Sequence, residues 1–169
     1  MEEILQCALF TLERFVTVSS VCSLPNLNTS VGLLTTLMNL VMSVLLQSDL
    51  HNSNNNNNNN NNRDASGRCG TVRTSCFHQF NRILFSIASA AVLEKHVHFI
   101  ACTVVEALSR CASIPKRFQD ISFPGVFGLF ERCAARQKTQ MFAMLDARSR
   151  LLMTDLHAEF LRSFKFTGK

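Results

Sequence analysis

Residues 119–169, QDISFPGVFGLFERCAARQKTQMFAMLDARSRLLMTDLHAEFLRSFKFTGK, decide the fold. Toward their end Leu152, Leu156, Phe160 and Phe164 recur at four-residue steps. That spacing stacks side chains along one side of an α-helix and makes a stripe that must be covered. Asp146 reads as the cap of this closing helix, and Arg148, Asp155, Glu159 and Arg162 fall at distances that form weak ion pairs on its outer face. Upstream, Val126 to Cys133 is apolar almost all round, as expected of a helix that is central to the fold or shared with a partner. Ser122 is predicted as its N-cap, with Pro124 in the first turn, where a missing N–H costs nothing, and Gly125 beside it. A short connector then joins Cys133 to Asp146.

Moving outward, the same periodicity continues. Phe77, Phe80, Leu84, Ile87 and Ala91, with Ile83 flanking, follow three- and four-residue steps. Val97, Ile100, Val104, Leu108 and Cys111 form a second stripe of different phase. The shift around Lys95 to His98 predicts two helices with a tight bend. Ile114 and Pro115 end the second, leaving Lys116 and Arg117 in a loop. His96 and His98 stand two apart, which on a helix turns them roughly 200° from one another, so they cannot share an ion there. They read as polar residues at the junction.

At the N-terminus Leu5, Ala8, Leu9, Leu12, Phe15 and Val16 share one helical face. Glu2 and Glu3 suit the positive end of the helix dipole and do not suit the basic start of a signal peptide. Pro25 breaks the pattern. Val31 to Leu46 is the most hydrophobic run, but its 16 residues fall short of the roughly 20 that span a bilayer, so a core helix with Leu33, Leu37, Leu40, Val41 and Val44 inward is expected. A membrane-associated protein anchored by 31–46 is the rival reading. The run Asn54 to Asn62 is too polar to offset its ordering entropy, which predicts a disordered insertion over 51–75. The chain thus divides into two N-terminal helices (1–50), an Asn-rich linker (51–75) and a C-terminal helical domain (76–169). The fold class is all-α, built of stacked antiparallel hairpins in the manner of helical repeats.

Composition sets limits on function. Charged residues make up 17%, below the roughly 25% of an average soluble protein, and mean hydropathy is +0.12, which leaves apolar surface for a partner. The net charge of +5 is uneven: residues 1–50 carry −3 and residues 76–169 carry +6. A basic C-terminal part favours anionic partners through long-range attraction, although a solvated helix face accounts for it equally well. The seven cysteines are scattered and odd in number, as reduced buried thiols are. Cys69, Cys76 and His78 lack the tight pairing of a zinc site. No phosphate loop, nucleophile elbow or metal-binding carboxylate pattern occurs, so no catalytic residue, cofactor or metal is expected.

Two stretches, ISFPGVFGLFERC at 121–133 and AMLDARSRLLMTDLHAEFLRSFKFTGK at 143–169, together resemble the C-terminal domain of the Unhealthy ribosome biogenesis protein 2 family, also called nucleolar pre-ribosomal-associated protein 2. Pro124, Gly125, Cys133, Leu145, Phe160, Phe164, Lys165, Phe166 and Gly168 fall on that family's pattern of a Pro-Gly, an apolar run ending in Cys, a connector, and a helix with an aromatic-basic-aromatic-x-Gly tail. Phe160 and His157 stand where relatives carry Tyr, and Arg132 where an apolar residue is common.

The resemblance implies a non-enzymatic scaffold of the nucleus and nucleolus, acting in pre-rRNA processing and large ribosomal subunit biogenesis. Its implied partners are pre-60S particle proteins, namely a second large nucleolar scaffold and a DEAD-box RNA helicase, with pre-rRNA as a further candidate and no membrane. Family members are far longer, so this chain would be a C-terminal module, a truncated copy or a diverged remnant. On this reading Arg132, Arg136, Lys138, Arg148, Arg150, Arg162 and Lys165 are the candidate partner-facing cations. A helical adaptor unrelated to ribosomes is the remaining alternative.

Overall fold

The computed structural model describes residues 2–21, 27–53, 63–111 and 113–165, with side chains described over 3–18, 30–46, 74–111 and 113–162. Among these residues the structure is all-α. Its helices are α1 (Glu2–Val21), α2 (Leu27–Ser53), α3 (Arg63–Ser89), α4 (Val97–Ser109), α5 (Lys116–Arg132), α6 (Ala135–Met144) and α7 (Ala147–Lys165), with a 3-10 turn at Ala91–Leu93. Of the stretch expected as a linker, 51–53 close α2, 63–75 open α3, and 54–62 lie outside the described residues. No described helix is long and apolar enough to cross a membrane.

One continuous core joins all seven helices, from Leu5, Leu9, Leu12 and Val16 of α1 to Met153 and Leu156 of α7. The described side chains of α1 and α2 therefore pack on the same core as the C-terminal part. Consecutive helices α1 and α2 pack together, but much of the packing is between next-but-one helices: α1 with α3, α2 with α4, and most extensively α3 with α5. The α3–α5 contacts rise together along both chains. Phe118 meets Phe77 and Phe80, Gly125 meets Asn81 and Leu84, and Gly128 meets Phe85 and Ala88. These two helices therefore run parallel, with α4 as the crossover between them, which the expectation of antiparallel hairpins did not anticipate.

The bend between the two central stripes falls slightly earlier than the sequence phase implied. Helix α3 ends at Ser89, Ala90 is extended, and the Ala91–Leu93 turn carries the chain to His96, the N-cap of α4. Glu13 ties α1 to α3 by accepting from Gln79 Nε2 at 3.0 Å and from Arg82 Nη2 at 2.7 Å.

Helix α2 corrects the expected inward face. Its buried residues are Val31, Leu34, Met38, Val41, Met42, Leu45 and Leu46, whereas Leu33 and Leu40 are half exposed. With apolar side chains on both sides of this helix, periodicity gives little information on which one turns inward.

Candidate interaction groove

The Pro-Gly pair is not a helix start. Helix α5 begins at Lys116 with Pro115 as its N-cap, so Pro124 lies in the helix interior, and Lys116 and Arg117 form the first turn. A proline here cannot donate to the carbonyl four residues back, that of Asp120. The next amide, Gly125 N–H, donates to Asn81 Oδ1 of α3 at 2.8 Å. A Cβ at 125 would lie 2.5 Å from that same oxygen and 2.8 Å from Leu84 Cβ. Glycine is therefore what allows α3 and α5 to approach at this level. Ser122, expected as a cap, is instead fully buried, and its hydroxyl has no hydrogen-bond partner among the described residues.

Opposite its contact with α3, helix α5 forms one wall of an open groove of about 580 Å³, with α7 as the other wall. Phe123, Pro124 and Phe127 face Leu152 and Leu156 across it. Phe123 and Phe127 of this groove belong to an aromatic chain that begins in the core. Phe77 packs edge-on to Phe118 at 5.5 Å, Phe118 on Phe123 at 6.4 Å, Phe123 on Phe127 at 5.7 Å and Phe127 on Phe160 at 5.6 Å. The groove shape is thereby fixed by the same side chains that hold α3, α5 and α7 together. Lys116 pairs with Asp120 at 3.1 Å on one rim, and Arg162 with Glu159 at 2.8 Å on the other.

The connector before α7 is largely helix α6. Gln137 anchors it: its Oε1 accepts from the Ala134 N–H at 2.8 Å, its Nε2 donates to the Glu94 carbonyl at 2.8 Å, and the same nitrogen lies 3.4 Å from His98 Nδ1. Burial, followed by the neighbouring His96, lowers the pKa of His98. Asp146 caps α7 as expected, accepting from the Ser149 N–H at 2.7 Å. The hydrogen bonds from Ser149 hold its carboxyl below the ordinary value. The start of α7 is locked to α4 by the buried Ser109–Ser149 hydroxyl pair at 2.9 Å.

The seven candidate cations do not share one environment. Arg132 pairs with Glu94 at 3.0 Å, and Arg162 with Glu159. Arg148 donates to the Cys111 carbonyl at 3.1 Å, and Arg150 Nε to the Leu145 carbonyl at 2.7 Å. Arg132 and Arg148 thus join separate parts of the fold and Arg150 ties the start of α7 to the residue before its cap, whereas the Arg162 pair is an exposed one within α7. Arg136 and Lys138 lie on α6, which carries no acid. The side chain of Lys165 lies outside those described, as do that of Phe164 and residues Phe166 and Gly168. Of the residues that carry the resemblance, Gly125, Cys133 and Leu145 are buried, Pro124 lines the groove, and Phe160 stacks on Phe127.

Burial pushes the Cys133 thiol up to about 11 and that of Cys102 up to about 12, Glu106 and Cys133 adding to the latter shift. Both are structural thiols rather than poised nucleophiles. Among the described residues no three His, Cys, Asp or Glu side chains gather as a metal site. The fold and groove define an all-α protein with a preformed apolar cleft between two helices. No family model, no curated protein and no solved structure matches this chain.

Proposed function

We propose that this chain is a protein-docking module of large ribosomal subunit biogenesis, working in the nucleolus on pre-60S particle proteins and leaving chemistry to them. The partners proposed are a second large nucleolar scaffold and a DEAD-box RNA helicase. The single observation that carries the reading is the groove between α5 and α7, an apolar cleft of a size that accepts the side chains of a docked helix. Its walls include Pro124, and Phe160 stacks on Phe127 of the same wall; both Pro124 and Phe160 are among the residues that carry the family resemblance. That coincidence supports linking the cleft to the setting the resemblance implies. Three of the seven candidate cations, Arg132, Arg148 and Arg150, bond to groups outside their own helix, which favours protein over RNA as the direct contact.

Affinity purification of the tagged full chain, followed by probing for large-subunit precursor rRNA, tests the proposal. Precursor rRNA is expected to co-purify with the wild-type chain and to be lost with Leu152→Glu, a change on the groove wall. Recovery of the chain free of precursor would return it to the class of adaptors unconnected with ribosomes.

A further inference from the structure

The α5–α7 groove is acidic at its rim although the chain as a whole carries a net charge of +5. Three carboxylates, Asp120, Asp155 and Glu159, border it against two cations, Lys116 and Arg162. Each cation is already held by a carboxylate, at 3.1 Å and 2.8 Å. Asp155 forms no ion pair among the described residues, and it lies one helical turn before Glu159 on the same face.

The excess at this cleft is therefore of negative charge at the rim, beside the apolar walls of Phe123, Phe127, Leu152 and Leu156, and the charge that complements it is positive. Nucleic acid does not supply it, because its phosphates would face carboxylates. A second copy placed symmetrically would set the same acidic rim against itself.

We infer that the groove takes an amphipathic helix of a partner protein, with apolar anchors one turn apart between those walls and a lysine or arginine beside them against Asp155. This rests on the docking reading above and adds to it the chemistry of the partner. Buried anchors supply the affinity, and the charge selects among helices of similar greasiness.

Two synthetic peptides of about 18 residues, long enough to form a helix on binding, provide the probe. Both carry leucines at helical spacing; one is flanked by lysines and the other by glutamates. Fluorescence anisotropy with the full chain is expected to show the lysine peptide bound about fivefold more tightly. Asp155→Lys, an exposed change that leaves the fold alone, is expected to abolish or reverse that preference. Equal binding of the two peptides, a preference untouched by Asp155→Lys, or failure of both to bind would overturn the inference. A chain that sediments as a dimer and becomes monomeric with Leu152→Glu would overturn it too, by making a second copy the occupant. Equal binding that Leu152→Glu removes would sink only the charge rule and leave docking intact. A charge preference without co-purifying precursor rRNA would sink only the ribosomal assignment.

Discussion

Asn81 of α3 accepts the amide hydrogen of Gly125 in α5 at 2.8 Å, one residue after a proline interrupts that helix. A side chain from one helix thus serves the backbone of another at the point where proline disturbs the ladder. Asn81→Ala removes the acceptor and leaves a partly buried N–H with a weakened set of partners. The expected loss is about 1–3 kcal/mol, read as a lower denaturation midpoint in urea by circular dichroism. An unchanged midpoint would mean that the bond contributes nothing.

Gly125 and Gly128 stand three residues apart in one helix, yet alanine is expected to act oppositely at the two. At 125 the new methyl would meet Leu84 Cβ at 2.8 Å, so α3 must move, and a net loss of about 1–3 kcal/mol follows despite alanine's better helix propensity. At 128 the nearest atom is Phe85 Cε1 at 3.3 Å, on a half-exposed ring that can swing aside. Gly128→Ala is expected to be neutral or to stabilise by up to about 1 kcal/mol. Thermal melts of both variants side by side check the contrast.

Ser122 buries a hydroxyl that finds no partner among the described residues. Replacing it with alanine removes a desolvation cost and improves helix propensity, so Ser122→Ala is expected to raise stability by about 0.5–1 kcal/mol. A destabilised variant would reveal a hidden partner for that oxygen.

His98 gives the fold a dependence on acidity. Its pKa is lowered in the folded chain, so the unfolded chain binds the proton more readily. Stability contributed by neutral His98 is fully present above the ordinary value of 6.5 and is lost as pH falls through the folded value. Protonation also turns Nδ1 from an acceptor for Gln137 into a donor facing a donor. Denaturation midpoints measured on descending pH are expected to fall below 6.5 in the wild type and to fall less in His98→Gln.

Much of this architecture was legible in the chain itself. The stripes of α1, α3 and α4 are buried over most of the length their spacing implied: Leu9 and Leu12, Phe77 and Phe80, Val104 and Leu108 are all core residues, whereas Ala91, expected to end the α3 stripe, is exposed in the 3-10 turn. Asp146 announces α7 because a capping carboxylate acts within three residues. What escaped the reading depends on distant partners. A Pro-Gly pair signals a helix start unless something compensates it mid-helix, and the compensating Asn81 stands 44 residues away. The inward side of α2 was hidden because Leu33 and Leu40 are as greasy as Leu34 and Met38. The groove escaped for the same reason, since spacing along α5 and α7 gives each stripe but not the distance between them. Phe127 and Phe160, half of that stripe and half of its neighbour, meet only once both helices are seated.

The parallel course of α3 and α5 has a consequence for how the chain is made. Two helices pointing the same way cannot close as a simple turn; all of α4 must be synthesised and folded across before the later one can land. Until residues near Phe130 leave the ribosome, Phe77, Phe80 and Leu84 lack the helix that packs on α3 most extensively, with α1 the earlier neighbour of the same helix. A stop before Phe118 therefore leaves the α5-facing side of this aromatic seam without its cover, the kind of surface through which incomplete chains associate.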